Sequence, residues 1–265
     1  MRRSGLTQLL TAAWLRPVML VVIVLVLWDL IIRVFGIEPY LIPAPAKVVQ
    51  ALISEWPRLW RESLVTTYAT LGGFAASIVF GIGMALMIAY SRTVESFVYP
   101  LLVFSQSVPK VAIAPLFVVW FGFGILPKII VAFLLAFFPI VVSTVMGFKS
   151  VEPDMIDLAK SMKASRFKTF VKISLPHALP SIFAGLKVSV TLAVVGAVVG
   201  EFVGSNSGIG YLLQIANGNF DLPLMFAGLT LLSCIGVLLF AAVDLIERLA
   251  IPWHASQRND FNAVA

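Results

Sequence analysis

The side chains that could do chemistry in this chain are charged ones, and most of them gather in residues 149–180. This stretch reads KSVEPDMIDLAKSMKASRFKTFVKISLPHALP and separates two strongly apolar regions. Six basic residues stand here against three acidic ones, namely Lys149, Lys160, Lys163, Arg166, Lys168 and Lys172 against Glu152, Asp154 and Asp157. Charges are costly inside a hydrocarbon core, so the stretch must meet water or a protein partner.

Patterns that would indicate an enzyme are missing from the 265 residues. The sequence has no HExxH, no GxSxG, no paired-carboxylate constellation and no GxxxxGK[ST] phosphate-binding loop. His177 and His254 lie far apart, and the single cysteine allows neither an internal disulfide nor a cysteine-based zinc site. We therefore expect no catalytic residue, metal or cofactor in this chain.

The first half of the polar stretch predicts a short helix. Pro153 suits the first turn, where its missing N–H costs nothing, and Asp154 and Asp157 suit the positive end of the helix dipole. An apolar stripe follows at helical spacing, made of Met155, Ile156, Leu158, Ala159 and Met162. The stripe is either a docking surface for a partner or a contact with the protein's own helices.

The second half predicts another helix after a bend. Ser165 can cap this helix, so the bend falls near Lys163 and Ala164. We expect Pro176 and Pro180 to end the second helix before the next apolar region.

The composition indicates a membrane protein. Hydrophobic residues make up 60% of the chain and charged residues 12%, whereas soluble domains carry about a quarter charged residues. The mean hydropathy of +1.00 agrees. Because basic residues collect in the cytoplasmic loops of membrane proteins, the net charge of +6 needs no nucleic acid as a partner.

Six segments are apolar and long enough to cross a bilayer, which takes about 20 residues. The N-terminal apolar run has no cleavage pattern after it and is predicted to be a retained helix rather than a signal peptide. We predict an all-α polytopic membrane protein with one transmembrane domain. Its spans are residues 18–34, 67–90, 97–120, 129–148, 188–203 and 222–246, with a polar loop at 149–180 and termini at 1–17 and 249–265. Residues 36–63 are predicted to form a connector and a short amphipathic helix near residues 47–53.

The distribution of charge predicts the orientation. Six spans place both termini on one side, and on this topology twelve Lys or Arg residues fall on the side of the polar loop and five on the other. Since the side richer in Lys and Arg is cytoplasmic, we predict that the loop and both termini are cytoplasmic.

The third span is predicted to be broken. Pro109 and Pro115 each remove a backbone donor, and Lys110 is costly in contact with lipid. Because broken helices at membrane depth occur against protein or a water-filled cavity, the segment either lines a transport path or is a kinked packing helix. The polar residues predicted for a path are Ser105, Gln106, Ser107, Ser143, Thr144, Ser189 and Thr191.

The polar loop resembles the cytoplasmic signature of permeases of ATP-binding-cassette (ABC) importers. That signature is EAA, three residues, Gly, nine residues and Ile-x-Leu-Pro, and its spacing is matched throughout. The seven marked positions are occupied by Asp157, Leu158, Ala159, Lys163, Ile173, Leu175 and Pro176. Leu158 and Lys163 depart from the signature, and a lysine in a left-handed bend costs about 1 kcal/mol relative to glycine.

Other segments are similar to the nitrate, sulfonate and taurine branch of these permeases, which also includes transporters of thiamine-precursor pyrimidines and riboflavin. They are PAPAKVVQAL, SVPKVAIAPLFVVWFGFG, AFFPIVVST and GEFVGSNSGIGYLL. The resemblance implies the type I ABC importer fold, a homodimeric or paired transmembrane core in the inner membrane, and an extracytoplasmic substrate-binding protein. It also implies a cytoplasmic ABC ATPase dimer that binds ATP and Mg²⁺ and contacts the loop.

The residues that would couple the chain to this ATPase follow from the same resemblance. They are Asp154, Asp157, Leu158, Ala159, Met162, Lys163, Ala164 and Ser165, with Ile173, Leu175 and Pro176 at the end of the motif.

The expected function is import of a small organic solute at the expense of ATP hydrolysed by the partner subunit. An aliphatic sulfonate or nitrate-like anion is the leading substrate. A thiamine-precursor pyrimidine, riboflavin or another aromatic heterocycle comes second, because the path segments are rich in Phe and Trp. The alternative function is an ion-coupled secondary transporter or channel, for which Asp29, Lys110 and Glu201 would supply the intramembrane charges.

Overall fold

The computed structural model describes residues 15–38 and 41–252, and within these residues the chain forms helices joined by short turns. Five helices are long and apolar enough to cross a membrane, or six if one bent pair counts as a span. The described helices are α1 (Leu15–Phe35), α2 (Pro45–Ser54), α3 (Trp56–Tyr90), α4 (Arg92–Ser107), α5 (Lys110–Phe121), α6 (Ile125–Lys149), α7 (Pro153–Ser161), α8 (Arg166–Thr169), α9 (Leu175–Gly204), α10 (Ile209–Gly218) and α11 (Leu222–Ala250). The prediction of an all-α polytopic protein is confirmed.

The core is built around α6, which packs between α3 and α9. Its buried residues Ala132, Ala136 and Ile140 belong to one cluster with buried residues of both neighbours. Small residues bring the helices close, since a Cβ at Gly196 of α9 would lie 2.6 Å from Ala132 Cα and a Cβ at Gly73 of α3 would lie 2.8 Å from Ile129 O. Such close backbone approach is the usual way in which helices associate in lipid. Gly73 and Gly196 therefore allow α3 and α9 to pack closely against α6.

Two spans begin earlier than predicted, because charges taken as span ends lie inside helices and are paired there. The second span is α3, which begins at Trp56 rather than at residue 67 and includes the Arg61–Glu62 ion pair at 3.1 Å. The fifth span is α9, which begins at Leu175 rather than at residue 188. Lys187 within it pairs with Asp244 and Glu247 of α11.

The third predicted span is broken, as expected. Its two halves, α4 and α5, meet at an angle of 93° across Val108 and Pro109. Pro109 precedes the first residue of α5, and Lys110 donates to Gln106 Oε1 at 3.0 Å across the bend. Residues 97–120 therefore do not form one straight span.

The peripheral elements agree with the sequence in part. The predicted amphipathic helix near residues 47–53 is α2, and α1 carries the Asp29–Arg33 ion pair at 2.7 Å on one face. Trp28 of α1 contacts Phe226 of α11, with ring centroids 5.6 Å apart. The predictions for residues 1–14 and 253–265 lie outside the described residues.

Candidate functional site

The polar loop has the bend that its sequence predicts. Pro153 begins α7, and the chain leaves this helix through Lys163, whose φ of 52° lies in the left-handed region. The Ala164 N–H donates to Ala159 O at 3.0 Å and closes the turn. Ser165 then caps α8, its Oγ accepting from the Lys168 N–H at 3.3 Å. The bend at the position of the signature glycine is therefore confirmed, although a lysine forms it.

The prediction that Pro176 and Pro180 end the second helix is wrong. From Arg166 the chain passes through a π-helical turn, Phe170–Ser174, directly into α9, so residues Arg166–Gly204 form one helical run of 39 residues. Pro176 falls in the first turn of α9, where a missing N–H is tolerated. Pro180 removes one further bond without ending the helix, and its neighbours Ala178 and Ile182 are buried in the core. The loop proper is therefore residues 150–165.

The base of the loop is fixed to the helix bundle. Phe170 packs against Phe148 at the end of α6 and Tyr90 at the end of α3, with centroid distances of 5.8 and 6.0 Å. Beside them, Lys149 of α6 forms an ion pair with Glu95 of α4. The loop is thus anchored where three helices end.

The apolar stripe of α7 faces outward. Leu158 is 64% exposed, Met162 74% and Met155 44%, whereas Ala159 is buried beneath the helix. Of the two interpretations that the sequence left open, the stripe as a surface for a partner fits these exposures, whereas Ala159 and the half-buried Ile156 pack against the protein itself.

A groove of about 350 Å³ lies between α7 and the helical run that begins at Arg166. Its apolar lining includes Met155, Leu158 and Met162, and Lys163, Lys168 and Lys172 also line it. In the described part of the chain none of these three lysines has an acidic group within 4 Å. The groove therefore offers an apolar floor beside positive charge.

Among the remaining predicted coupling residues, Ala164 and Ile173 also line this groove. Asp157 is exposed and pairs with Lys160 at 2.8 Å, and Asp154 is exposed in the first turn of α7. Ala164, Ile173, Leu175 and Pro176 are half-buried.

The residues predicted for a path divide into two groups. Ser105, Gln106 and Ser107 are exposed at the break between α4 and α5, and Thr191 is exposed on α9. Thr144 and Ser189 have no exposed surface, because α6 and α9 pack tightly along their length. These two residues line no surface of a single copy, and Ser143 beside Thr144 is half-buried. Their place in a path stays a prediction.

Glycine at position 163 should relieve strain at the bend. A residue with a Cβ pays about 1 kcal/mol in the left-handed region, and a β-branched residue pays more. We expect Lys163→Gly to keep or raise the melting temperature, by at most about 4 °C, and Lys163→Val to lower it. Differential scanning fluorimetry in detergent measures both, and equal melting temperatures for the two variants would contradict a left-handed bend.

A buried cluster that the sequence did not predict lies at the end of the bundle opposite the loop. Glu62 and Thr66 of α3 and Glu201 of α9 meet the first amides of α10 there; these three side chains and the amides of residues 208–210 are called the carboxylate cluster. The Thr66 hydroxyl donates to the Glu201 carboxylate at 2.9 Å and accepts from the Ile209 N–H at 2.8 Å. The Gly208 N–H donates to Glu62 Oε2 at 2.7 Å, and the Gly210 N–H donates to Glu201 Oε2 at 2.8 Å.

The groups of the carboxylate cluster are buried, and they suit the N-terminus of α10. Three successive N–H groups at the positive end of α10 meet two carboxylates and a hydroxyl, the groups that stabilise a helix N-terminus. Gly208 has a φ of 104° and no room for a Cβ beside the Glu201 carboxylate. Close by, the Lys128 ammonium of α6 donates to Ser207 O at 2.7 Å.

The turn at residues 204–210 is therefore held by side chains from three helices. The sequence carried one signal of this cluster: Glu62, Lys128 and Glu201 all fall near the ends of spans on the same side of the predicted topology. Thr66 carried no signal of its own.

Comparisons with known proteins agree with this architecture. Residues 77–252 match the family described as binding-protein-dependent transport system inner membrane component. The chain is 40% identical to the formylaminopyrimidine transport permease protein ThiX of Halalkalibacterium halodurans, over 92% of this chain and 97% of that protein. It is 38% identical to the riboflavin transport system permease protein RibX of Chloroflexus aurantiacus, over 91% of this chain and 90% of that protein.

A more distant relative and a solved structure extend the comparison. The chain is 28% identical to the putative aliphatic sulfonates transport permease protein SsuC of Bacillus subtilis, over 92% of this chain and 89% of that protein. The fold is similar to that of an inward-facing MetNI methionine ABC transporter, with a TM-score of 0.58 and 20% identity over 70% of this chain and 93% of that chain. A family match over most of the chain, relatives that share its full length and the same helical fold establish that this chain belongs to the inner membrane permease components of binding-protein-dependent ABC transport systems.

Proposed function

We propose that this chain is the transmembrane subunit of an ATP-driven importer, and that residues 150–165 seat it on a cytoplasmic ABC ATPase. The observation that carries the proposal is the outward-facing stripe of Met155, Leu158 and Met162, set on a base that three helix ends hold fixed. An exposed apolar stripe beside positive charge is suited to an apolar cleft that is flanked by acidic groups. Membership of the permease family favours this function over the ion-coupled transporter or channel that was the alternative.

Two copies of the chain would enclose the path. The break between α4 and α5 exposes Ser105, Gln106 and Ser107 on the surface of a single copy. A broken helix at membrane depth needs protein or a water-filled cavity around it, and a second copy supplies both. Thr191 on the exposed face of α9 would extend the polar lining. In this arrangement the loop, α1's first residue and the end of α11 are cytoplasmic, and an extracytoplasmic binding protein delivers the solute to the other side.

The substrate we propose is a small aromatic heterocycle, which was the second expectation from the sequence. Identity is 40% and 38% to permeases named for a formylaminopyrimidine and for riboflavin, but 28% to one named for aliphatic sulfonates. Lys110, half-buried at the break, is the observation that keeps an anionic sulfonate as the second candidate.

Reconstitution tests the function and the substrate together. The chain, its ATPase and its binding protein, identified from neighbouring genes, would be assembled in vesicles with radiolabelled formylaminopyrimidine, riboflavin, taurine or hexanesulfonate. We expect ATP-dependent uptake of one heterocycle, at least about tenfold above that of the sulfonates, because a site whose hydrogen-bonding groups are left unpaired by the wrong ligand rejects it strongly. Uptake of a sulfonate instead would reverse the substrate assignment, whereas uptake without the ATPase would contradict the proposed function itself.

A further inference from the structure

One continuous helical run joins the loop to the carboxylate cluster. It begins at Arg166, directly after the bend at Lys163, and ends at Gly204, three residues beyond Glu201. Its 39 residues span about 58 Å at 1.5 Å per residue. One helical element therefore leads from the bend of the loop to Glu201.

At its far end this run is joined to α10 and α3 by buried hydrogen bonds. Glu201 accepts from the Gly210 N–H and from the Thr66 hydroxyl, and Thr66 in turn accepts from the Ile209 N–H. Thr66 and Glu201 have no exposed surface. Without water to replace a lost partner, these groups must move together or leave polar atoms unsatisfied.

We propose that Glu201 and Thr66 are the positioning pair through which movement of the loop at one end of the bundle repositions α10 at the other. The inference rests on the proposed function, because the movement is that of a loop seated on an ATPase. Tight packing of α9 against α6 keeps the run from bending away along its length, with Gly200 placing its backbone against Lys128. The cluster therefore makes the opposite end of the bundle sensitive to the nucleotide state of the partner.

Hydrogen exchange of the amides at residues 208–210 tests this coupling without knowledge of the substrate. The complex of this chain with its ATPase would be compared with no nucleotide and after trapping with ATP, Mg²⁺ and vanadate. We expect trapping to change the exchange rate of the peptide that covers residues 206–212 by about fivefold or more.

Two threonines of α3 provide a matched pair of variants. Thr66 and Thr70 are both fully buried, and the hydroxyl oxygen of each lies close to the carbonyl oxygen four residues earlier, at 3.2 and 2.8 Å. Only Thr66 also contacts Glu201 and α10. We expect Thr66→Val to raise exchange of this peptide about tenfold or more and to remove its response to nucleotide, whereas Thr70→Val keeps the response.

The conservative variant Glu201→Gln is a control for misfolding. In Glu201→Gln the amide oxygen can still accept from the Gly210 N–H while its NH₂ group donates to Thr66, so we expect the nucleotide response to persist. Glu201→Ala should lose it while ATPase still co-purifies with the chain.

The possible failures are distinguishable. A wild-type chain that retains no ATPase would overturn the proposed function and this inference with it. A complex that forms but whose exchange at residues 206–212 ignores nucleotide would overturn the inference alone, as would equal responses from Thr66→Val and Thr70→Val.

Discussion

A glutamate in place of Leu158 should release the ATPase from this permease while leaving the permease folded. The side chain is 64% exposed on the outward stripe of α7, so the isolated chain loses no core contact. In the assembled transporter the new carboxylate would replace an apolar side chain in an apolar contact, at a cost of about 3 kcal/mol. That cost weakens the association about a hundredfold. Co-purification of the tagged permease with its ATPase, followed by vesicle uptake, measures the loss.

A control for this variant exists on the same side of the bundle. Leu249 near the end of α11 is 75% exposed and lies outside the loop. Leu249→Glu makes the same chemical change, and we expect it to keep the ATPase. If both variants lose it equally, the defect comes from charge near the membrane surface and the docking role of α7 is wrong.

A substitution at Ala159 of the same helix would test the shape of the loop rather than its surface. Ala159 occupies an alanine position of the importer signature, but it is buried beneath α7, and its carbonyl closes the turn at Ala164. A bulky residue there would distort the loop itself. Loss of the ATPase would then report the shape of the loop, whereas Leu158 reports its surface.

The loop could be predicted in detail because its signals are local. Pro153 at the start of α7, the bend at Lys163 and the cap at Ser165 each depend on residues within four positions along the chain. The end of the helix that begins at Arg166 was not predictable in this way. Proline counts as a helix breaker in isolation, but the turn that precedes Pro176 and the packing of Ala178 in the core carry the helix onward.

The carboxylate cluster could not be predicted because its contacts are distant in sequence. Thr66 and Glu201 are 135 residues apart, and Glu62 is 146 residues from the amide it binds. Half of its groups are backbone amides, which no residue type reveals. The sequence showed charged residues at span ends, but it did not show that they converge.

The residues that line a path could not be identified from the sequence for another reason. A helix that is apolar on all sides has no amphipathic pattern to indicate which face is turned outward. Thr144 and Ser189 were chosen for their polarity alone, and both proved to be buried between packed helices. The exposed residues at the α4–α5 break were predictable because Pro109 marked the break itself.

Gly196→Ala should destabilise the bundle strongly, although it adds only one methyl group. The added Cβ would lie 2.6 Å from Ala132 Cα and 2.8 Å from Val131 O, both of them backbone atoms of α6. Backbone atoms cannot move away by a rotamer change as a flexible side chain can, so α6 and α9 must separate locally. Overpacking of this kind costs about 3 kcal/mol, which lowers the melting temperature of a domain of this size by about 6–12 °C.

The matched control for this prediction is Gly83→Ala in α3. Position 83 also lies inside a long helix, but a Cβ there meets nothing within 4 Å. Since alanine favours a helix over glycine by about 1 kcal/mol, we expect this variant to melt at the same temperature as the wild type or slightly above it. Thermal melting in detergent, read from tryptophan fluorescence, compares the two. A drop of equal size in both would show that glycine is needed along these helices for reasons other than close packing, and a stable Gly196→Ala would show that α6 and α9 are not held at the distance on which the core depends.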